Sequence, residues 1–238
     1  MSKKTVGSVI AGALVLVLGV ASAPARGELS LKILGGRYSP HLRKVNEDFD
    51  ENWNNQWGTD FGFKAGTIYG LALGYDVGPR LEIRLEGYSF KSKTDDTYYD
   101  SWEGSSGFWE RYHHDQFRLT VIPVIISGIY KFPPFYVGAG VGSLFSKNHW
   151  VGGYDEYLNG SLMDSYSWPK SGKSDTNSPT GLVVLAGFSF VDKPISLSLE
   201  ARYVMLAKAK LQVNCHTWDT EVDLSGLQLS LLAGVKFR

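Results

Sequence analysis

The sequence predicts an all-β fold: a closed, eight-stranded, antiparallel up-and-down transmembrane β-barrel, with short turns at one end and four long loops at the other. Three observations support this prediction. Eight segments of about ten or more residues are rich in β-forming residues or alternate between apolar and polar residues. Short turns and long connections alternate along the chain. The 238 residues include 27 Gly, 13 Tyr, 12 Phe and 7 Trp, a composition typical of strand-rich proteins with many tight turns.

The N-terminus, residues 1–25, predicts a signal peptide. Lys3 and Lys4 form a short positive region, Val6 to Val20 is apolar or small throughout, and small residues precede Ala25. The apolar run of about 15 residues is shorter than the roughly 20 that a membrane-spanning helix needs. We therefore expect export, cleavage after Ala25, and a single barrel domain formed by residues 26–238.

The clearest of the eight predicted strands is the third. Leu81 and Ile83 alternate there with Glu82 and Arg84, so bulky apolar side chains share one face and charged side chains the other. The seventh and eighth predicted strands repeat this pattern. The eight strands are predicted at Leu29–Tyr38, Thr67–Val77, Leu81–Lys91, Gln116–Lys131, Phe135–Ser146, Pro179–Val191, Ile195–Lys210 and Leu224–Arg238.

The connections predict the arrangement of these strands. Gly78-Pro79, Pro133-Pro134 and Asp192–Pro194 are short and have turn chemistry. Alternate connections of an antiparallel meander lie at opposite ends, so the short turns share one end, which we expect in the periplasm, and the long loops share the other. Closure is expected because lipid offers no hydrogen-bond partner to a free strand edge. The long connections are residues 39–66, 92–115, 147–178 and 211–223.

Several segments resemble a known family. Residues 134–142, 81–88, 197–203 and 234–237 are similar to the small eight-stranded outer-membrane β-barrels of the opacity-protein and OmpA-transmembrane-domain type. The resemblance runs over most of the mature chain. It implies location in the bacterial outer membrane and contact with its lipids, and it supports fold and location better than any activity. We further expect a monomer with a structural or surface-interaction role.

Charged residues on the inward face predict an interior charge network. Eight strands leave an interior only wide enough for side chains to fill it. Because unpaired buried charges are costly, we expect an ion-paired polar plug, with a narrow small-solute or ion channel as the alternative. The predicted members are Lys32, Glu82, Arg84, Glu86, Arg118, Glu200 and Arg202.

The long connections predict a contact surface. They contain all 7 Trp, all 5 His and most of the acidic residues, and we expect neither Trp nor His within a strand. Aromatic side chains provide a large contact area at low entropic cost, which favours binding of an external ligand or a host or other cell surface. The alternative is that these residues form small cores within the loops. We expect barrel stability to be nearly independent of the loops. The predicted contact residues are Trp53, Trp57, Trp102, Trp109, Trp150, Trp168 and Trp218.

Other classes of function are not favoured. Asp48–Asn52 begins like a calcium loop, but Trp53 and Thr59 stand where Gly and Glu are required. His113 and His114 are adjacent and should point to opposite faces of a strand, and no nucleophile motif accompanies them. We therefore expect no enzyme activity, cofactor or metal. The balance of 24 basic and 24 acidic residues argues against a nucleic-acid partner.

A soluble, exported, lipocalin-like ligand-binding barrel is the remaining alternative. Such a barrel is apolar inside and polar outside, and alternation within one strand does not distinguish the two orientations. The Gly-x-Trp motif that lipocalins carry in their first strand is missing from Leu29–Tyr38. The membrane barrel is therefore favoured.

Overall fold

A computed structural model describes residues 27–168, 179–205, 207–213 and 218–237, so the predicted signal peptide lies outside the described residues. Between the first two strands lie helix α1 (Arg43–Phe49), a π-helical turn (Asp50–Asn54) and the short helix α2 (Asn55–Trp57). In the described part of the chain, no helix is both long and apolar enough to span a membrane. The strands are β1 (Leu29–Pro40), β2 (Gly66–Asp76), β3 (Leu81–Gly104), β4 (Gly107–Phe132), β5 (Phe135–Leu158), β6 (Ser161–Trp168), β7 (Thr180–Val191), β8 (Ile195–Met205), β9 (Lys208–Val213), β10 (Trp218–Asp223) and β11 (Gly226–Phe237).

Eight strands close into one antiparallel barrel. They follow the order β4-β3-β2-β1-β11-β8-β7-β5, and pairing of β4 with β5 completes the ring. The first and last strands pair from Leu29↔Phe237 to Pro40↔Gly226. The predicted fold class and the positions of all eight barrel strands are confirmed. The short turns and both ends of the described barrel lie at one end, which we call the short-turn end, and the long connections lie at the other.

Three strands are longer than predicted. β3, β4 and β5 contain 24, 26 and 24 residues, whereas β1, β2, β7, β8 and β11 contain 11 or 12. The shorter length is close to the roughly nine to eleven residues with which a tilted strand crosses a bilayer. Residues 92–115 and 147–158 were expected as loops but continue the strands, and β6 pairs with the end of β5. The expectation that no strand contains Trp or His is therefore wrong.

The outer surface of the barrel is apolar. Large hydrophobic side chains on every barrel strand are exposed, including Ile33 at 63%, Leu71 at 56% and Leu199 at 49%. A continuous apolar surface of this kind faces lipid. Ile83 and Arg84 have the predicted orientations, because Ile83 is partly exposed on the outside and Arg84 is buried inside. This arrangement is the reverse of a lipocalin, so the soluble alternative is not supported.

A belt of aromatic side chains surrounds part of the short-turn end. Successive ring centroids from Tyr130 through Phe132, Phe135 and Phe188 to Phe190 are 6.5, 6.3, 5.3 and 5.0 Å apart. Amphipathic and aromatic rings of this kind are enriched at the boundary between lipid and water. The belt therefore places one membrane interface at the short-turn end.

The barrel interior has two layers, not the single polar plug that was expected. Charged and hydroxyl side chains fill the half nearer the short-turn end. The other half, which we call the apolar layer, is filled mainly by aliphatic and aromatic side chains, because inward-facing positions change from polar to apolar along strands such as β1 and β8. Gln228 and Ser230 of β11 are buried polar exceptions at this level. The fully buried apolar members of the layer include Tyr38, Ile68, Phe90, Phe117, Leu119, Val121, Leu144, Val183 and Val204.

Candidate functional site

The charged half of the interior holds a paired network. Arg84 lies between two carboxylates: its Nε donates to Glu82 over 2.8 Å and its Nη1 donates to Glu200 over 2.6 Å. Arg202 Nη2 donates to Glu86 over 2.7 Å. These five side chains are at most 2% exposed. Each buried charge has an opposite charge beside it, which is the arrangement that offsets the cost of desolvation.

Lys32 and Lys131 extend this network towards the short-turn end. Lys32 Nζ lies 3.2 Å from Glu82, and Lys131 Nζ lies 2.8 Å from the same carboxylate and also pairs with Asp76. Lys131 was not among the predicted members. It lies an even number of residues from the buried Ile125 and Ile129 on β4, so its side chain points inward with theirs. A cavity of about 360 Å³ borders the network and opens at the short-turn end.

Arg118 is a correction to the predicted network. Its side chain is exposed on the outside of β4, where it donates to Gln116 over 3.0 Å. The inward positions on either side are Phe117 and Leu119, both fully buried. Because successive residues of a strand point to opposite faces, burial of these apolar neighbours places Arg118 outside.

The connection between β1 and β2 forms a cap on the apolar layer. Phe49 and Phe61 place their ring centroids 5.1 and 5.2 Å from Phe117, and Trp53 packs 5.9 Å from the same ring. All three contacts are edge-on, as aromatic rings prefer. Trp53 was predicted to be a contact residue but is part of this core, because the helical turn directs it into the barrel mouth.

Two asparagines hold the cap closed. Asn54 accepts hydrogen bonds from the Phe61 amide and the Thr59 hydroxyl, both over 2.8 Å, and donates to the Phe61 carbonyl over 2.9 Å. Asn46 pairs in the same way with both backbone groups of Phe63, at 2.9 and 3.0 Å. The two asparagine side chains therefore make the hydrogen bonds to the backbone of Phe61 and Phe63 that a neighbouring strand would make in a sheet. Because the cap packs on the barrel core, we expect this connection to contribute to barrel stability, unlike the loops in general.

The extended strands form a four-stranded sheet above the barrel, which we call the external sheet. It comprises residues 97–104 of β3, 107–115 of β4, 151–158 of β5 and all of β6. At about 3.4 Å per residue, the β3 portion alone is roughly 25 Å long. One face, the inner face, continues the side that points into the barrel. The opposite face, the outer face, continues the side that faces lipid below.

The inner face carries a row of aromatic rings. Tyr98, His113, Tyr154 and Tyr166 are consecutive register partners across the four strands. Tyr98 stacks on His113 with centroids 4.5 Å apart and planes 3° apart, and Tyr154 stacks on Tyr166 at 5.9 Å. Trp57 of the cap packs 5.1 Å from Tyr98. The row therefore connects the cap to the far edge of the sheet.

A charged row lies beside the aromatic row. It consists of Asp100, Arg111, Glu156 and Asp164, again register partners on consecutive strands. Arg111 donates to Glu156 over 2.6 and 3.0 Å. Its guanidinium lies 5.0 Å from the Trp102 ring and 4.9 Å from the Tyr154 ring. The hydrogen bond with Glu156 raises the pKa of Arg111, so this cation stays charged.

The outer face carries a second aromatic cluster. The Tyr112 ring lies 5.0 Å from Tyr99 and 5.7 Å from Tyr157, the latter perpendicular. Tyr99 and Tyr112 are each 46% exposed, and Phe108 on the same face is 45% exposed. Aromatic rings are thus presented to solvent on both faces of the sheet.

The two adjacent histidines lie on opposite faces, as strand geometry predicted. His113 is stacked on the inner face, where burial lowers the pKa of its imidazole against the opposing effect of Asp100, 3.7 Å away. His114 is exposed on the outer face and lies over Gly153. The pair therefore does not converge on one point.

The predicted tryptophans have different environments. Trp102 is 38% exposed and stacks on the half-buried Trp109 with centroids 6.0 Å apart, and Trp57 is 42% exposed. These three line the inner face or its border. The side chains of the others lie outside the described part of the structure: Trp150, Trp168 and Trp218.

The geometry defines a transmembrane eight-stranded β-barrel of the outer-membrane type, filled by its own side chains and bearing an aromatic external sheet. The fold is similar to that of neisserial surface protein A, with 15% identity, a TM-score of 0.40, and coverage of 89% of this chain and 97% of that chain. It is similar to Ail of Yersinia pestis in complex with the heparin analogue sucrose octasulfate, with 14% identity, a TM-score of 0.37, and coverage of 89% and 99%. The N-terminal β-barrel domain of Pseudomonas aeruginosa OprF gives 12% identity, a TM-score of 0.34, and coverage of 88% and 97%. No protein-family model and no curated protein sequence matches the chain.

Proposed function

We propose that this protein is a surface interaction protein of the bacterial outer membrane, in which the barrel is an anchor and the external sheet is the contact surface. The observation that carries the proposal is exposure of large aromatic side chains on a sheet that projects beyond the barrel. Trp102, Tyr112 and Tyr166 are 38%, 46% and 51% exposed. Exposed aromatic clusters of this kind mark contact sites for other molecules, because their burial on binding is favourable.

The barrel itself is not proposed as a channel. Phe90, Phe117, Leu119 and Val121 in the apolar layer are each 0% exposed, and the cap packs directly on Phe117. An ion that crossed this layer would lose its hydration and meet few polar groups, such as the side chain of Gln228. The cavity at the short-turn end is lined by the charged network and the short turns and by none of these four apolar side chains. We therefore expect the purified protein to produce no conductance in planar lipid bilayers.

The proposal includes export and topology. The exported chain loses residues 1–25, residues 26–238 form a monomeric barrel, the short-turn end faces the periplasm and the external sheet faces the medium. This orientation agrees with short turns on the periplasmic side and long extensions outside. No catalytic residues are proposed.

The test removes the external sheet and keeps the barrel. Residues 98–112 and 154–166 are each replaced by a short Gly-Ser turn, which leaves the lower β3–β4 and β4–β5 pairs intact. We expect the truncated protein to fold, as shown by heat-dependent mobility on a gel, and to lose adhesion of expressing cells to epithelial cells or to other bacteria. Adhesion equal to that of the full-length protein would refute the proposed contact surface. The control is the double substitution Ser105→Gly with Ser106→Gly, which alters only the turn between β3 and β4 and keeps the residues of both faces.

A further inference from the structure

The cavity at the short-turn end has a polar interior and an apolar rim. Its volume of about 360 Å³ falls within the range of roughly 300 to 1,000 Å³ that is usual for small-molecule sites. The buried side chains of Lys32 and Arg84 line its interior, and Pro133, Phe135 and Phe190 line its rim. Phe135 and Phe190 also belong to the aromatic belt, so the entrance lies at the level of a membrane interface.

The hydroxyl group of Ser196 has no partner in this cavity. Ser196 lines the cavity and is 5% exposed, and its Oγ atom makes no hydrogen bond with the described residues. A buried hydroxyl without a partner is costly, and a ligand atom that accepts a hydrogen bond from it would remove that cost. The hydroxyl group therefore points to a ligand independently of the cavity's shape.

Lys32 lies in the same register row as Ser196. Ser196 of β8 pairs with Gly234 of β11, and Gly234 pairs with Lys32 of β1. Neighbouring strands are about 4.8 Å apart, so the two backbones are separated by roughly 10 Å. Because glycine has no side chain, the strand between them places none between the hydroxyl and the lysine. Both side chains therefore line one continuous part of the cavity.

The ammonium group of Lys32 shares its carboxylate with two other cations. Its ion-pair partner among the described residues is Glu82, 3.2 Å away. Glu82 also accepts from Arg84 over 2.8 Å and from Lys131 over 2.8 Å. Arg84 and Lys131 each have a second carboxylate partner, whereas Lys32 has none in the described part of the chain. An ammonium group has three donors, so a bound anion would complete the surroundings of Lys32.

The acidic residues that line the cavity do not oppose an anion. Glu82 is surrounded by its three cations, and Asp192 pairs with Lys236 over 2.7 Å. Like charges repel at a binding site, but each of these carboxylates is neutralised by a cation beside it. The site is therefore compatible with one further negative charge next to Lys32.

We infer that this cavity binds a small amphiphile that carries a carboxylate, such as a short fatty acid. The carboxylate accepts hydrogen bonds from Lys32 and Ser196, and the apolar chain lies along the rim beside Phe135 and Phe190. The charge-assisted hydrogen bond and the burial of the chain both favour binding. The cavity lies at the opposite end of the barrel from the external sheet, so the inference goes beyond the proposed contact function and does not depend on it.

The experiment measures binding of hexanoate to the full mature protein in phosphatidylcholine nanodiscs by isothermal titration calorimetry at neutral pH, with protein-free nanodiscs as the blank. Lys32→Gln removes the ammonium group. Its control, Lys193→Gln, removes the same charge from the short-turn end at a residue that does not line the cavity. Ser196→Ala removes the hydroxyl group. Its control, Ser127→Ala, removes another buried hydroxyl without a partner that does not line the cavity.

We expect hexanoate to bind about tenfold more weakly to Lys32→Gln and several-fold more weakly to Ser196→Ala, with both controls within about twofold of the unaltered protein. Hexanol has the chain without the charge, and inorganic phosphate has charge without the chain. Each should bind at least about tenfold more weakly than hexanoate. If Lys32→Gln does not fold, the two serine variants decide the question.

Hexanoate binding that neither cavity variant weakens would place the ligand elsewhere and overturn the inference. Heats equal to those of protein-free nanodiscs would overturn it as well. Equal affinity for hexanol would show that the anion is not recognised, and equal affinity for phosphate would show that the chain is not; either result would reject the amphiphile.

Discussion

Replacement of Phe117 by Ala should test whether the cap and the barrel form one core. Phe117 is 0% exposed, and the rings of Phe49, Phe61 and Trp53 all lie within 5.9 Å of it. Truncating a buried phenylalanine costs about 3 to 5 kcal/mol, and each aromatic pair contributes about 0.5 to 1.5 kcal/mol of that loss. We therefore expect the free energy of unfolding to fall by about 4 kcal/mol.

The assay is urea unfolding of the protein in phospholipid vesicles, followed by tryptophan fluorescence. Phe108→Ala is the matched control, because Phe108 is 45% exposed on the external sheet and its loss should cost less than about 1 kcal/mol. A double-mutant cycle with Phe49→Ala should give a coupling energy of about 1 kcal/mol. Equal costs for the two single variants, or zero coupling, would show that the cap does not stabilise the barrel.

Three further predictions concern the membrane surface, the charge network and the external sheet. Ile83→Arg should destabilise the barrel in vesicles by about 2 to 4 kcal/mol, since it forces a charge into hydrocarbon, and an unchanged stability would reverse the assignment of inside and outside. Glu200→Gln should cost about 3 to 5 kcal/mol in the same assay, because it leaves the buried Arg84 without one of its two carboxylates; a loss below about 1 kcal/mol would show that the network is not required. Because the pKa of His113 is lowered in the folded protein, the unfolded sheet binds more protons as pH falls below about 6.5. The protection of amides in the external sheet, relative to the intrinsic exchange rate at each pH, should therefore fall from pH 7 to pH 5, and His113→Phe should abolish this change; an equal pH dependence of protection in the variant would assign the effect to another group.

The barrel could be predicted from sequence because a membrane-spanning strand has a strong pattern. Lipid requires apolar residues at every second position, and the narrow interior accepts charges only as pairs, so Leu81 to Glu86 alternates almost without exception. Turn residues such as Pro133-Pro134 mark the strand ends. These constraints identify strand number, topology and orientation together.

The external sheet could not be predicted because its strands are exposed to water on both faces. Neither lipid nor a core then imposes alternation, and residues 97–104 resemble a loop in composition. Only the β-forming residues Thr97, Tyr98 and Tyr99 hint at strand continuation. β3 and β4 nevertheless stay paired as far as Gly104↔Gly107, so the hairpin extends beyond the membrane.

Two predicted site residues were misplaced because the prediction used residue type and did not consider which way each side chain points. Arg118 was placed inside because it is charged, although its neighbours Phe117 and Leu119 are the buried residues. Trp53 was placed on a contact surface because it lies in a loop, although the cap directs it onto Phe117. Contacts between the cap and the barrel join residues far apart in sequence, and local pattern does not report them.

The central claim is that a membrane-embedded barrel presents the external sheet outside the cell. The most direct measurement is labelling of single cysteines on intact cells with a membrane-impermeant maleimide, after Cys215→Ser has removed the native thiol. Tyr166→Cys lies on the external sheet and Lys193→Cys at the short-turn end, where the native side chains are 51% and 54% exposed. The account predicts that the cysteine at 166 is labelled on intact cells and the cysteine at 193 only after the outer membrane is permeabilised. Labelling at 193 but not at 166 on intact cells would contradict it.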